Sequence, residues 1–137
     1  LIDIKNNLAR GIRKASDFLM ALQLSGAYKK SSIANLQISL PAVVVGGGLT
    51  AIDTATELLA YYVVQIEKEA ERYEVLVRER GEAAVRALFD DEEWDALTVH
   101  LTHARELREE RARAAAEGRL PRVQELLDRW GGVTLVY

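Results

Sequence analysis

The alternation of apolar and polar positions predicts two short strands separated by a long helical region. An apolar run ending in three valines, Leu40–Val45, breaks into glycines and is followed at once by a helical pattern. β-branched residues that are apolar on both faces are typical of a parallel strand covered by helices on both sides. A second run with strand character, Val133–Val136, comes only near the end of the sequence. The pattern therefore predicts an α/β fold that is mostly helical by content.

Helical spacing and capping signals predict where the helices begin and end. A short helix is expected over Ala15–Leu24, with Gly26 ending it. The helix after the glycines begins at Leu49 and is expected to extend to about Arg78, because Gly81 is the first residue that favours a stop. Between Gly81 and the second strand, the sequence predicts a short apolar segment over Ala83–Phe89, a helix capped by Asp90 or Asp91 that runs to about Ala116 and is ended by Gly118, and a last helix from near Pro121 to Gly131.

These elements divide the sequence into four parts. Residues 1–40 form a lead-in segment with a short helix, and residues 41–66 form the first strand, the glycine turn and a crossover helix. In a Rossmann unit the second strand normally follows the glycines by about 20 residues, so residues 67–131 are interpreted as an all-helical insertion. Residues 132–137 form a truncated second strand. Because two strands make a very narrow sheet, and because the chain starts without methionine and stops within a strand pattern, we expect a fragment of a larger protein.

Composition removes several classes of function. The chain has no cysteine, so it supplies no disulfide, zinc-thiolate or iron-sulfur ligand. No apolar run approaches the ~18 residues of a membrane helix, and no secretory signal opens the chain, so we expect a soluble cytoplasmic protein that does not bind membranes. Lys and Arg outnumber Asp and Glu by six to two in residues 1–40, but acids exceed bases by nineteen to twelve thereafter. Neither part is basic enough to predict nucleic-acid binding.

The glycines after the first strand fit a dinucleotide-binding fingerprint. Gly46-x-Gly48-x-x-Ala51 matches G-x-G-x-x-G/A, in which the first glycine allows a tight turn, the second lets the backbone approach a pyrophosphate, and the third small residue lets the helix pack close to the strand. The phosphates would lie at the helix N-terminus, where free N–H groups and the helix dipole favour an anion. The alternative is a strand-turn-helix corner with no ligand.

Other candidate residues lie in the predicted insertion. His100 and His103 share a helix face, but only carboxylates such as Glu106 are available to complete a metal site, so metal binding is the weaker interpretation. The segment Arg105–Arg119 is dense in Arg, Glu and Ala, which favours a solvated helix face over a surface for an anionic partner. The aromatic residues are interpreted as the insertion's own core: Phe89, Trp94 and Trp130.

Two stretches, Val43–Glu57 and residues 15–22, together with the end of the chain, resemble one family: the FAD-dependent pyridine nucleotide oxidoreductases related to the glutamate synthase small subunit. Val43–Glu57, which reads VVVGGGLTAIDTATE, resembles their NAD(P)H-binding turn. Residues 15–22, ASDFLMAL, are similar to the A-L-D-F-L helix that precedes that turn, and the end of the chain is similar to a second strand of the form Val-Thr-x-x-Tyr. The resemblance covers about residues 6–62 and 132–137, and the helical insertion lies outside it.

The resemblance implies a cofactor and a set of residues that bind it. NADPH or NADH would be the ligand of this segment, held by Gly46, Gly47, Gly48, Leu49, Thr50, Ala51 and Asp53. Leu49 departs from the family, whose members often have Asp or Asn there. Asp53 stands where related disulfide reductases carry a glutamate near the nicotinamide, and it also fits an acid in the first helical turn.

The same resemblance implies how the larger protein would work. The FAD motif is absent, so FAD would bind to the remaining domains of the parent flavoprotein, where hydride passes from nicotinamide to flavin. This segment alone would be inactive. A different class of function stays open, namely a helical interaction module that self-associates and binds no nucleotide. A third alternative, weaker because a helix precedes the turn, is that the glycines bind FAD itself.

Overall fold

Helices hold most of the chain in the computed structural model, which describes residues 5–137. Only two strands occur within these residues, and each is four residues long. The mostly helical content predicted from the sequence is therefore confirmed. In chain order the elements are α1 (Ala15–Leu24), β1 (Ala42–Val45), α2 (Leu49–Arg80), α3 (Glu82–Arg86), α4 (Asp91–Ala116), α5 (Val123–Arg129) and β2 (Val133–Val136).

Local signals account for the ends of the two long helices. Helix α2 runs without interruption to Arg80 and ends at Gly81, whose φ of 83° few other residues adopt. Asp90 caps α4 in a reciprocal arrangement: its side chain accepts the N–H of Glu93 at 2.8 Å, and the Glu93 carboxylate accepts the N–H of Asp90 at 3.0 Å. Asp90 is thus the capping residue, not Asp91. The boundary expected between residues 66 and 67 lies inside α2.

The two strands pair in parallel and are buried on one face only. Ala42 lies opposite Val133 and Val45 opposite Val136, and α2 contacts both strands. Val44 is buried, whereas Val43 and Val45 are 64% and 66% exposed. The expectation that helices cover β1 on both faces was wrong, because no described element packs on the outer face.

The core is shared by the lead-in segment and four helices. Helix α2 supplies its centre, and α1, α4 and α5 pack around that helix. Trp130 belongs to this core, with its ring centroid 6.2 Å from that of Tyr62 on α2. Trp94 instead packs against Tyr73 and Phe89 at the other end of the α2–α4 pair. Trp130 was thus wrongly assigned to a separate core of the insertion, whereas Phe89 and Trp94 do pack together with Tyr73 inside residues 67–131.

Side chains of α2 hold the lead-in segment in place. The Gln65 amide is fully buried and bonds both backbone groups of Ile38, accepting its N–H at 2.9 Å and donating to its carbonyl at 2.8 Å. The Tyr61 hydroxyl accepts the N–H of Leu36 at 2.9 Å. Residues 33–40 have no regular structure, so these bonds satisfy backbone groups that no strand partner reaches.

Lys68 fastens a second part of the same segment. Its buried ammonium group donates to the carbonyls of Ala27 at 2.8 Å and Ala34 at 2.9 Å. Burial lowers the pKa of Lys68, because the charged form loses hydration that two carbonyl dipoles only partly replace. The lead-in segment thereby becomes part of the core before the chain enters β1.

A buried carboxylate of α4 bonds to the segment that connects α4 with α5. The Glu110 side chain is 8% exposed and accepts hydrogen bonds from Arg119 Nη1 at 2.6 Å and from the N–H of Arg122 at 2.9 Å. These bonds, the Arg119 pair first, lower the pKa of Glu110 to about 2. The ionised carboxylate therefore determines the path of residues 117–122.

Replacing Glu110 with glutamine should change how stability depends on pH. Because the folded-state pKa lies below the ordinary value of 4.5, the carboxylate stabilises the fold fully above about pH 4.5 and progressively less as the pH falls towards 2. The melting temperature of Glu110→Gln should thus lie below that of the unmodified chain at neutral pH, with the difference shrinking below pH 4.5. Thermal unfolding followed by circular dichroism at several pH values tests this. A constant difference would mean that Glu110 ionisation does not contribute.

No helix among the described residues combines the length and the apolar character that crossing a membrane requires.

Candidate functional site

The glycine turn lies where β1 ends and α2 begins, at the carboxyl edge of the parallel pair. Gly46 has a φ of 145°, and its N–H donates to the carbonyl of Val136 at 2.8 Å. A Cβ at this position would lie 3.3 Å from the Cβ of Ala51, which is itself buried. The first and third small residues of the fingerprint thus touch, and their small size lets the helix approach the strand closely.

Backbone donors are unused at the start of α2. No side chain caps this end of the helix, whose N-cap residue is Gly48. The N–H groups of Ala51 and Ile52 donate to the Gly48 carbonyl at 3.0 and 3.3 Å. Within residues 5–137, no hydrogen bond uses the N–H groups that precede them: Gly47, Gly48, Leu49 and Thr50. Four adjacent free donors at a helix N-terminus form a preorganised anion-binding arrangement.

Gly48 is open to approach from outside. A Cβ built on this residue would meet nothing within 4 Å, and its φ of −92° and ψ of 176° are accessible to any residue. The fold therefore does not itself require glycine here. A ligand backbone or phosphate lying against the Cα atom is the kind of contact that would require it.

Tyr137 lies beside the turn, a placement that the fingerprint did not predict. A Cβ on Gly47 would come within 3.1 Å of the Tyr137 Cβ, and the tyrosine side chain is 95% exposed. The carboxyl ends of neighbouring parallel strands meet at one edge of a sheet, so the residue after β2 reaches the residues after β1. Strand pairing was the signal that could have identified Tyr137.

The remaining predicted residues lie around the turn with few contacts. The Leu49 side chain is 79% exposed and offers no polar group. Thr50 is exposed, and its carbonyl accepts the Thr54 hydroxyl at 2.6 Å. Asp53 is also exposed, but the first turn of α2 contains no acid, so its interpretation as a first-turn acid was wrong. The structure thus brings residues 46–51 together and places Asp53 just beyond them.

The two histidines take separate partners and do not converge on a common point. His100 is buried, with Nδ1 2.6 Å from Glu69 Oε2. The His103 ring stacks on Trp130 at 4.3 Å, and its Nδ1 lies 2.7 Å from the Tyr62 hydroxyl. Burial lowers the pKa of His103 and raises that of Tyr62. Among residues 5–137, no group of three or more His, Cys, Asp or Glu side chains could hold a metal ion.

The arginines of residues 105–119, which lie in α4 and just after it, form ion pairs within the chain. Every arginine between residues 105 and 119 has a carboxylate partner, and Glu110 pairs with two of these arginines. These pairs leave no cluster of free guanidinium groups for an anionic partner. The pairs are Arg105 with Glu109, Arg108 with Glu74, Arg111 with Glu67, Arg113 with Glu110, and Arg119 with Glu110 and Glu117.

Comparison with known proteins gives one relative of undescribed activity. An uncharacterized protein of Rickettsia prowazekii (strain Madrid E) is 49% identical over 73 residues. The matched residues make up 53% of this chain and 10% of the relative. The chain thus spans about a tenth of the length of that curated relative. No protein-family profile matches the chain. No solved structure matches it.

Proposed function

We propose that the chain binds the pyrophosphate of NADPH or NADH, as the nucleotide-binding part of a cytoplasmic FAD-dependent oxidoreductase. The proposal rests on the sequence resemblance to oxidoreductases related to the glutamate synthase small subunit and on the geometry of the glycine turn. Hydride transfer from nicotinamide to flavin would be the activity of the larger protein. FAD and the remaining domains lie outside these residues in this proposal.

The observation that carries the proposal is the row of free N–H groups beside Gly48. They follow a parallel strand and open a helix, and the close approach of Gly46 to Ala51 fixes the direction of that helix. A dinucleotide pyrophosphate would accept hydrogen bonds from these donors and lie over the open face of Gly48. This chain's residues would bind and orient the cofactor, which supplies the redox chemistry.

Replacing Gly48 with valine tests the proposal. The side chain has room and the backbone angles suit it, so the variant should fold, yet its methyl groups would occupy the space that the pyrophosphate needs. We expect at least about tenfold weaker NADPH binding, which corresponds to about 1.4 kcal/mol. Amide chemical shifts of residues 47–50, followed during NADPH, NADH and ADP titrations, measure the affinity even when it is weak.

The matched control is Ala60→Val, which also creates a valine but at an exposed position of α2 away from the turn. It should bind NADPH as the unmodified chain does. Equal affinity of the Gly48→Val and Ala60→Val variants would contradict a site at the turn. So would shifts that saturate elsewhere in the chain, or no shifts at millimolar nucleotide.

A second candidate function, self-association through the sheet, is favoured by the bare outer face of the strands. Val43, Val45 and Val136 are all exposed on that face, whereas parallel sheets normally have both faces covered. A concentration-dependent dimer of the 15.3 kDa chain in sedimentation experiments, abolished by Val45→Thr, would support this alternative. A monomer that binds nucleotide would exclude it.

A further inference from the structure

A large cavity lies far from the glycine turn. Its volume is about 750 Å³, and it opens between the lead-in segment, α2 and α4. Glu69, the first residue of α2 that lines it, follows Leu49 by roughly 30 Å of helix. A dinucleotide bound at the turn leaves this cavity free. We propose that the cavity is a second binding site, for a small organic anion with an apolar body.

One wall of the cavity suits an aliphatic or aromatic group. Leucine side chains from α2, from α4 and from the connection before α4 line it together with an aromatic ring. Of these, Leu88 is 58% exposed although it is a large apolar residue. Covering such side chains with an apolar ligand removes them from water. The apolar lining consists of Leu76, Leu88, Phe89, Ala96 and Leu97.

The carboxylates that line the cavity are already engaged. Glu69 accepts from the His100 ring and from the Asn35 amide. Glu92 pairs with Arg10 at 3.0 Å, and Glu93 accepts the N–H of the helix-capping residue. All three acids thus already have a hydrogen-bond or ion-pair partner.

The cations that line the cavity are not all engaged. Arg10 is paired, and Arg72 donates to the backbone carbonyls of Ser32 and Ile33. Arg13 makes no hydrogen bond or ion pair within residues 5–137. Arg13 can therefore pair with the head group of an anionic ligand without displacing an existing contact.

His100 supplies a second polar contact at the buried side of the cavity. It lines the cavity, is 4% exposed, and uses Nδ1 to bond Glu69. Within residues 5–137 its Nε2 makes no hydrogen bond, so this nitrogen is available to a ligand in the cavity. A buried imidazole held by a carboxylate, with its other nitrogen open, is preorganised to bond a ligand's polar head.

Octanoate and octanol are probes that differ only in the head group. Octanoate should shift the amide resonances of residues 69–76 and 88–100 in a saturable manner, and octanol should bind more weakly. Arg13→Gln should weaken octanoate binding about fivefold, because one charge-assisted contact is lost at an exposed position. Leu88→Asp, which places an acid on the apolar wall, should weaken it at least as much. Both positions are exposed, so both variants should fold.

The matched control is Lys14→Gln, which removes a neighbouring exposed charge that does not line the cavity. It should leave octanoate affinity unchanged. Equal binding of octanol and octanoate would overturn the proposal, as would Arg13→Gln and Lys14→Gln variants of equal affinity. Octanoate shifts confined to Val43 and Val45 would likewise overturn it. None of these results depends on nucleotide binding at the turn.

Discussion

Substitution of Gly131 by alanine should lower the free energy of unfolding by about 3 kcal/mol, because the change strains the backbone and overpacks the start of the sheet. Gly131 has a φ of 104°, and a Cβ there would lie only 2.8 Å from the Cβ of Pro41 and 3.2 Å from its Cα. The proline ring is rigid. The residues that follow Pro41 and Gly131 are held together, because the Ala42 N–H donates to the Gly132 carbonyl at 3.0 Å. Neither side can move without disturbing the pairing of β1 with β2. Urea denaturation measures the loss.

Gly118→Ala separates backbone strain from overpacking. Gly118 also has a positive φ, 65°, but a Cβ there would meet nothing within 4 Å. Only the conformational penalty applies, so we expect a loss of about 1 kcal/mol. Equal losses at the two glycines would show that the contact with Pro41 does not matter.

Substitution of Gln65 by alanine should also destabilise the fold by about 3 kcal/mol, because it leaves two buried backbone groups without hydrogen-bond partners. The N–H and the carbonyl of Ile38 both bond the Gln65 amide, and both residues are buried. An alanine methyl reaches neither group. Denaturation measures the total loss, and hydrogen exchange of the Ile38 amide should accelerate, since that N–H loses its acceptor.

Gln124→Ala provides the comparison for an exposed amide. Gln124 donates to Asp128 at 2.9 Å on the surface of α5, where water replaces the lost bond. Its removal should change stability by less than about 0.5 kcal/mol. If Gln65→Ala were as mild, or if Ile38 kept its protection from exchange, the side chain would not be what holds the lead-in segment.

Local patterns were sufficient to predict the helices and the turn. Gly81 and Gly118 follow the ends of α2 and α4, and Asp90 begins α4, because capping depends on residues within one turn of the helix end. The glycine spacing likewise predicted that Gly46 lies against Ala51, since the six residues from Gly46 to Ala51 determine that contact.

Tertiary contacts could not be read from the same patterns. Glu69 and His100 are 31 positions apart, and their pairing depends on how α2 and α4 align. The position of Tyr137 beside Gly47 depends on the register of two strands separated by the helical segment. Helical periodicity shows which face is apolar but not which helix covers it, which is why Trp130 was assigned to the wrong core.

Helix α2 also has a mechanical consequence. Its 32 residues extend over roughly 48 Å as one uninterrupted rod, with the glycine turn at one end and Gly81 at the other. Its buried residues all lie between Ala51 and Ala70, so the last turns project beyond the core. A tilt of about 10° at the turn would move the far tip by roughly 8 Å. Because α1, α4 and α5 pack on the part of α2 that ends at Ala70, such a tilt would have to displace the core together with the helix.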